Sequence, residues 1–525
     1  MLFPFLNDLY STDPSEKVVI HTTPSVSEPL CVKLTKNIKA LEHLFFETGK
    51  DIPDRYAVSF EDYHPLAKEY GKFRRNRDKM FAPGPRGFLH FWTLYSYLDP
   101  YMLLLNPEAK KGFRIFPNAA IDETMSIRVK IEKKLNTASN TNMSVYKTSS
   151  LSPYRLAYLL RTFQKLTKPN QSTNTLFMYH ITDLLSLEDF CLYRELTSDL
   201  YYTKDKIDVV RIFTTATADN ITDHINKMDY LRKSYHFKEY DQSDTFCKDG
   251  FKSLNTKYDF IVAQAGFFSF EYKQDNEYLN IQIKLTFVLT VFQHLNEGGS
   301  AVIHFPDCYM NLTIDLIQIL ISPFQHAYMI KSPLNAPLRP YRSVILESFT
   351  GVNQEVIDKL EEFRKKWHKL SPDCGASWKQ DSKEYAQRLL KDFNTEKLKR
   401  EILLYNMCDL RRQLTIIKAN KKFYDRFQSM KSEEESVALF DEVINTNIIK
   451  AQQMLSFLEI PQNFDKYHES PYLFKTLIRP PMYFLLYREK FGESGKLITD
   501  VTELAEKIKP LILKKKRLML IKRSI

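Results

Sequence analysis

The sequence predicts an α/β fold, and three observations lead to this prediction. Residues 176–346 alternate between short apolar runs and segments with apolar residues at helical spacing, as in a parallel sheet covered by helices. A glycine pair, Gly298-Gly299, separates the longest such helix from the next strand. After Gly351 the pattern becomes helical only. The predicted regions are an N-terminal extension (1–58), an α/β domain (59–351, with an insertion near 117–174) and an all-helical, basic C-terminal region (352–525).

The individual elements follow from two kinds of pattern. Continuous apolar runs predict buried strands, and these fall at 176–181, 207–213, 259–263, 301–305, 327–330 and 344–346. Apolar residues at i, i+3 and i+4 predict helices, and these fall at 153–166, 184–193, 220–235, 278–295, 313–321, 354–370, 382–391, 396–427, 433–458 and 498–513.

Composition and charge restrict the class of protein. The chain has 525 residues and a net charge of +11, so we expect more than one domain and an acidic partner. Nucleic acid, an anionic surface or an acidic protein would each fit, and so would a merely solvated basic surface. The six cysteines form no C-x-x-C pair, which disfavours a zinc ribbon and a disulfide framework. We therefore predict no metal site and a reducing compartment.

The N-terminus and the hydropathy pattern bear on localisation. The first residues lack the basic and apolar regions of a signal peptide, and no apolar run approaches the length of a membrane span. We expect a cytoplasmic or nuclear protein that is not secreted and has no membrane partner. Scarce glycine with abundant Lys, Asn, Phe and Tyr is typical of an AT-rich genome, viral or protist.

The most specific motifs lie in residues 257–351. They are a strand motif at 259–266, the Gly-Gly turn and strand at 298–304, and an Arg-Pro-Tyr-Arg-Ser-Val segment at 339–344. This order resembles the C-terminal half of the FtsJ-like (RrmJ-type) RNA ribose 2′-O-methyltransferases, and the weaker likeness begins near residue 60. The resemblance implies a Rossmann-like methyltransferase sheet that holds any ligand at the carboxyl ends of its strands.

The resemblance also implies four catalytic positions. The family uses Lys, Asp, Lys and Glu to align the ribose hydroxyl and stabilise the developing alkoxide. Here Lys68, Gln264, His304 and Val344 match those positions, so three of the four are substituted. His304 is either a base with a suitable pKa or a strand-end histidine satisfied by its neighbours. Lys68 is either the first family lysine or a solubilising residue on an exposed helix.

Two segments resemble cofactor-binding motifs of the family. Residues 82–88 resemble its Ala-Pro-Gly-Gly-Phe loop with two residues inserted, although an ordinary Pro/Gly turn would look the same. The loop residues implied to contact S-adenosylmethionine are Pro83, Gly84, Gly87 and Phe88. Residues 179–183 resemble the Gly-Asp-Ile-Thr segment of cap-type members, with His180 in the acidic position. The bulky Tyr179-His180 pair disfavours tight cofactor binding.

RNA is the partner that the resemblance implies, with the cap-proximal ribose of messenger RNA as target. Phe267 and Phe268 follow the Gln264 strand and would either stack on bases or pack on the core or a partner. Arg339 and Arg342 are the implied basic contacts. One hypothesis is a catalytically impaired methyltransferase-fold protein that binds RNA or scaffolds a capping, replication or virion assembly. The alternative is an active mRNA cap 2′-O-methyltransferase in which Lys68 and His304 handle protons. The three substitutions favour the first hypothesis.

Overall fold

The structure is a computed structural model that describes part of the chain. The described residues, with short gaps, are 29–53, 100–104, 144, 151–163, 257–264, 276–305, 308–335, 341–370, 384–412 and 429–460, together with the backbone of 175–180, 207–212 and 236–240. They all fall within one compact unit, Pro29–His468.

A mixed sheet of eight strands forms the centre of this unit. The strands of the structure, in chain order, are β1 (Leu30–Lys33), β2 (Leu44–Gly49), β3 (Thr175–His180), β4 (Ile207–Ile212), β5 (His236–Tyr240), β6 (Tyr258–Ala263), β7 (Leu295–Phe305), β8 (Phe324–Lys331), β9 (Arg342–Phe349) and β10 (Tyr385–Leu390). The order across the large sheet is β1-β8-β9-β7-β6-β3-β4-β5, and β2 pairs with β10 in a separate two-stranded sheet.

The strand order confirms the predicted Rossmann-like sheet. Counted from β3, the parallel strands β5-β4-β3-β6-β7 stand in the doubly wound order 3-2-1-4-5. The next strand, β9, runs antiparallel to both β7 and β8, as in Rossmann-like methyltransferases. The strand order reverses between β3 and β6, so the ligand crevice of such a sheet lies outside the carboxyl ends of these strands.

Helices cover both faces of the sheet. Those of the structure are α1 (Ser152–Thr162), α2 (Asn276–His294), α3 (Asn311–Ile321), α4 (Gln354–Leu370) and α5 (Glu433–Phe457), and residues 396–406 are also helical. The predicted helices at 184–193, 220–235 and 498–513 lie outside the described residues. Within the described part of the chain, no helix combines the length and apolar character needed to cross a bilayer.

The pleat divides the strand residues between two faces, because successive side chains point to opposite sides. We call the side of Ile303 and Val344 the first face; its residues belong to the large core built with α2, α3 and α4. We call the side of Val302 and Ile345 the second face. There α1 packs on the sheet through Phe163, whose ring centroid lies 5.3 Å from that of Tyr328.

Strand β10 replaces the helix predicted at 382–391. It pairs antiparallel with β2, and it is fastened to α3 by the buried carboxylate of Asp315. Asp315 accepts hydrogen bonds from the Arg388 side chain (2.7 and 3.0 Å) and from the backbone N–H groups of Leu389 and Leu390 (3.0 and 3.3 Å). A helix would need these N–H groups for its own bonds, so the prediction was wrong because a distant carboxylate binds them instead.

The predicted Gly-Gly turn lies within β7, which begins at Leu295, and its backbone geometry depends on both glycines. Gly298 has φ +79°, a left-handed conformation that glycine adopts without strain. A Cβ at Gly299 would lie 2.8 Å from the backbone oxygen of Asn296 and 2.9 Å from that of Asp259. Gly299 therefore lets β7 pack directly against the start of β6, where the register between the two strands shifts.

Strand β1 extends the large sheet from the segment predicted as an N-terminal extension. It pairs antiparallel with β8, so that Leu30 lies opposite Lys331. The same segment is bound to the helical residues 396–406, because Thr35 donates its backbone N–H to Glu401 (2.7 Å). Residues from before 58 and after 351 thus share one unit with the central strands.

Candidate functional site

The candidate site lies at the carboxyl edge of β6 and β7, on the second face. The pair Ala263 and Ile303 is the last in the β6–β7 register, and Gln264 and His304 follow it. Neighbouring strands are about 4.8 Å apart, so these two side chains stand side by side on one face. The structure therefore brings together two of the residues that the sequence placed at catalytic positions.

His304 is buried and neutral. Its side chain is 8% exposed, and Nδ1 lies 3.1 Å from the hydroxyl oxygen of Ser343, its cross-strand partner in β9. Burial lowers the pKa of His304 to about 3, with further contributions from the positive charges of Arg155 and Lys284. A neutral imidazole cannot supply the positive charge that a lysine brings to a developing alkoxide.

Val344 does not join this pair. It lies opposite Ile303 in the β7–β9 register, which puts it on the first face, and it is fully buried in the core there. The residue of β9 that contacts His304 is Ser343, and the next one on the same face is Ile345. The resemblance implied that Val344 is a catalytic position together with Gln264 and His304; this is wrong for Val344, because alternation along β9 turns its side chain to the other face.

Arg342, expected among the RNA contacts, is fully buried on the first face. Its guanidinium donates to the amide oxygen of Asn406 and lies 4.9 Å from the ring centroid of Tyr405. Residues 396–406 thus cover this arginine and give its guanidinium a hydrogen-bond acceptor and an aromatic face. Arg342 is a packing residue in this structure and does not present itself to RNA.

Arg155 belongs to the site although no local sequence motif marks it. It lies in the first turn of α1, where Nη2 donates to Ser152 (3.1 Å) and Nη1 to Asn335, just after β8 (3.5 Å). Asn335 in turn donates to the backbone oxygen of Tyr341 (3.3 Å). The only signal available beforehand was topological: a helix leading into β3 begins near the carboxyl edge.

The position of a cofactor loop follows from the strand order. In a doubly wound sheet the glycine-rich loop follows the first central strand, which here is β3, ending at His180. The chain has no glycine between Gly112 and Gly250. The sequence after β3 therefore offers none of the glycines that favour a close backbone approach to a cofactor there.

Several predicted site residues lie outside the described part of the chain. These are Lys68, Pro83, Gly84, Gly87, Phe88, Phe267, Phe268 and Arg339. His180 is described by its backbone only, paired in register with Ile212 of β4. Among the described residues, no group of His, Cys, Asp and Glu side chains is arranged to hold a metal ion.

Comparisons with known proteins give distant structural likenesses. No protein-family model and no curated protein matches the sequence. A solved structure assigned as a ribosomal RNA methyltransferase from Plasmodium falciparum is 17% identical, covering 39% of this chain and 99% of its own, with a TM-score of 0.27. One assigned as a caffeoyl-CoA O-methyltransferase from Staphylococcus aureus is 10% identical (43% and 100% covered, TM-score 0.20).

A third is an S-adenosylmethionine-dependent methyltransferase from Clostridium acetobutylicum ATCC 824. It is 14% identical, covering 46% of this chain and 87% of its own, with a TM-score of 0.18. At these TM-scores none of the three carries an argument about this chain, and the fold assignment rests on the strand order.

Proposed function

We propose that this chain is a non-catalytic methyltransferase-fold protein that binds RNA and serves as a scaffold subunit of an RNA-processing assembly. The observation that carries the proposal is the buried, neutral His304 at the position of the family's central lysine, held against Ser343. Gln264 and His304, which match the family's aspartate and central lysine, carry no charge at neutral pH.

The residues described at the family's catalytic positions lack the groups that would catalyse a methyl transfer. The reaction needs a positive group beside the attacking oxygen and carboxylates that hold that group. Gln264 stands in the position of the aspartate and carries no charge, while Val344 is turned into the core. An imidazole with a pKa near 3 is also too weak a base to take a proton from a ribose hydroxyl near neutral pH.

RNA is the partner that charge and site chemistry favour. The net charge of +11 supplies the long-range attraction that draws a polyanion. At the site itself, the Gln264 amide can donate hydrogen bonds, and the Arg155 guanidinium beside it donates two within the chain and carries a positive charge. A capping, replication or virion assembly is the setting that we propose for such a subunit.

Two titrations test the proposal. Calorimetry with S-adenosylmethionine and with its demethylated product should show no binding up to millimolar concentration. RNA affinity should be retained and should fall about 100-fold between 50 and 200 mM salt if about four phosphates are contacted. Micromolar cofactor binding together with methyl transfer to capped RNA would instead establish the active enzyme, and Lys68→Ala should then abolish that transfer.

A further inference from the structure

Three buried nitrogen atoms at the candidate site have no hydrogen-bond partner in the described part of the chain. They are Nε of Arg155, Nε2 of Gln264 and Nε2 of His304. A buried N–H group without an acceptor costs free energy, so native structures rarely leave one alone. Three such nitrogen atoms at one site indicate a hydrogen-bond acceptor from a ligand, which the described part of the chain does not supply.

The topology puts the three groups together. Gln264 and His304 are level on the second face, at the carboxyl edge of β6 and β7. Arg155 reaches this edge from α1, as its bond to Asn335 after β8 shows, and its charge lowers the pKa of His304. The same helix approaches the middle of β8 through Phe163 and Tyr328, so α1 begins at the carboxyl edge and runs away from it.

The start of α1 adds to the positive potential. Its N-cap residue, Leu151, has no side chain that can accept from the first N–H groups, and Pro153 occupies the first turn. The partial positive charge of a helix N-terminus therefore lies at the edge that carries Arg155. The two charged groups that lower the pKa of His304, Arg155 of α1 and Lys284 of α2, are both bases, and Lys284 carries its charge only below its own pKa of about 7.

We infer that Arg155, Gln264 and His304 form a binding site for a phosphate group. In the tautomer in which the Ser343 hydroxyl donates to Nδ1, His304 carries its proton on Nε2 and can donate it to an anion. Gln264 donates through its amide where the family's aspartate would repel an anion, and Arg155 supplies the charge. The substitutions that weaken the site as a catalyst thus make it a receptor for phosphate oxygens.

The phosphate has two possible sources: the RNA backbone or the phosphorylated end of an RNA or nucleotide. The inference rests on the proposed function only for its assignment to RNA, since the donor set would take inorganic phosphate as well. Three probes separate these cases: inorganic phosphate, a 5′-phosphorylated RNA oligonucleotide and the same oligonucleotide with a 5′-hydroxyl.

The test compares two charge-removing variants of one helix. Arg155→Gln should weaken phosphate and RNA binding by about 10-fold or more, because it removes a charge-assisted donor. The matched control is Arg161→Gln, which removes the same charge about 9 Å further along α1 and should change affinity less than about 3-fold. Gln264→Glu is the second variant; it keeps the size of a partly exposed side chain and should abolish binding by repulsion.

The outcomes distinguish phosphate binding at this site from non-specific attraction by the net positive charge of the protein. Preference for the 5′-phosphorylated oligonucleotide, lost in Arg155→Gln, supports a terminal-phosphate site, and equal loss for both oligonucleotides supports a backbone site. Phosphate should also raise the pKa of the His304 imidazole by NMR, with His304→Asn used for assignment. Equal losses in both arginine variants, or phosphate binding unaffected by Gln264→Glu, would overturn the inference.

The proposed function can fail separately. RNA binding that is insensitive to Arg155→Gln, with no cofactor bound, would contradict the phosphate site but remain consistent with the proposed RNA-binding scaffold. Phosphate binding that depends on Arg155, together with an absence of RNA binding, would support the phosphate site and overturn the proposal that the protein binds RNA.

Discussion

Ser343 Oγ lies 3.1 Å from Nδ1 of His304, and this contact decides which residues of β9 belong to the candidate site. The two residues are cross-strand partners, so they share the face that α1 covers. Their neighbours Ile303 and Val344 are partners on the opposite face, within the large core. Two consecutive positions of β9 therefore have different roles, one at the site and one in the core.

The first prediction concerns Val344→Glu, which restores the family's residue type. Because Val344 is fully buried in the core, we expect a buried carboxylate without a partner to cost more than about 4 kcal/mol of unfolding free energy. Gln264→Glu is the control, since Gln264 is partly exposed and should lose less than about 1 kcal/mol. Urea unfolding measures both; a tolerated Val344→Glu would show that this side chain faces solvent.

Much of the sheet is predictable from sequence, and its register is not. Each of the strands β6 to β9 contains a short continuous apolar run, so local pattern identifies it. Which side chains of β9 face His304 depends on its pairing with β7, and a shift of one residue reverses every face. Val344 was misplaced for that reason.

Long-range pairing explains the remaining differences. Strands β1 and β2 precede the central strands by more than 100 residues, and β10 forms because β2 and Asp315 bind its backbone. Arg155 likewise enters the site from a helix 149 residues before His304 in the chain. None of these contacts leaves a local pattern, so sequence reasoning found the site's strand residues but not the charge beside them.

The second prediction concerns acid stability through His304. Its pKa is about 3 when folded against 6.5 for an ordinary histidine, so the unfolded chain binds one more proton between these values. Stability should therefore fall as the pH drops from 6.5 to 3, by about 5 kcal/mol at most. His304→Asn keeps a partner for Ser343 and should remove this part of the pH dependence. Parallel stability curves for the two proteins in urea would contradict the assignment.

The third prediction concerns alkaline stability through Lys284, which is 2% exposed. Burial lowers its pKa from 10.5 to about 7, so above pH 7 the unfolded chain binds more protons than the folded one. Stability should rise with pH in this range, by up to about 1.4 kcal/mol per pH unit. Lys284→Met should be more stable at pH 6 and should flatten the rise, whereas Lys359→Met on the surface of α4 should do neither. An unchanged slope in Lys284→Met would contradict the lowered pKa of Lys284 in the core.

The fourth prediction concerns the ion pair between Lys331 and Asp409. Lys331 Nζ lies 2.7 Å from Asp409 Oδ1, and both side chains are 2% exposed. Asp409→Asn leaves the ammonium buried without its counter-charge, so we expect a loss of about 3–5 kcal/mol. Burial already lowers the pKa of Lys331 to about 8, while Asp409 raises it. Removing the carboxylate should lower this pKa further, so the loss should shrink as the pH rises and Lys331 becomes neutral.

The control for this pair is an ion pair at the surface. Lys359 and Glu355 of α4 lie 2.9 Å apart, with side chains 40% and 72% exposed. Glu355→Gln should cost less than about 1 kcal/mol, because solvent screens the exposed pair. A double variant, Lys331→Met with Asp409→Leu, should recover most of the stability, since it buries no charge. If Asp409→Asn costs no more than Glu355→Gln in urea unfolding at pH 7, the helical residues after 396 do not cover the end of β8 as the structure has them.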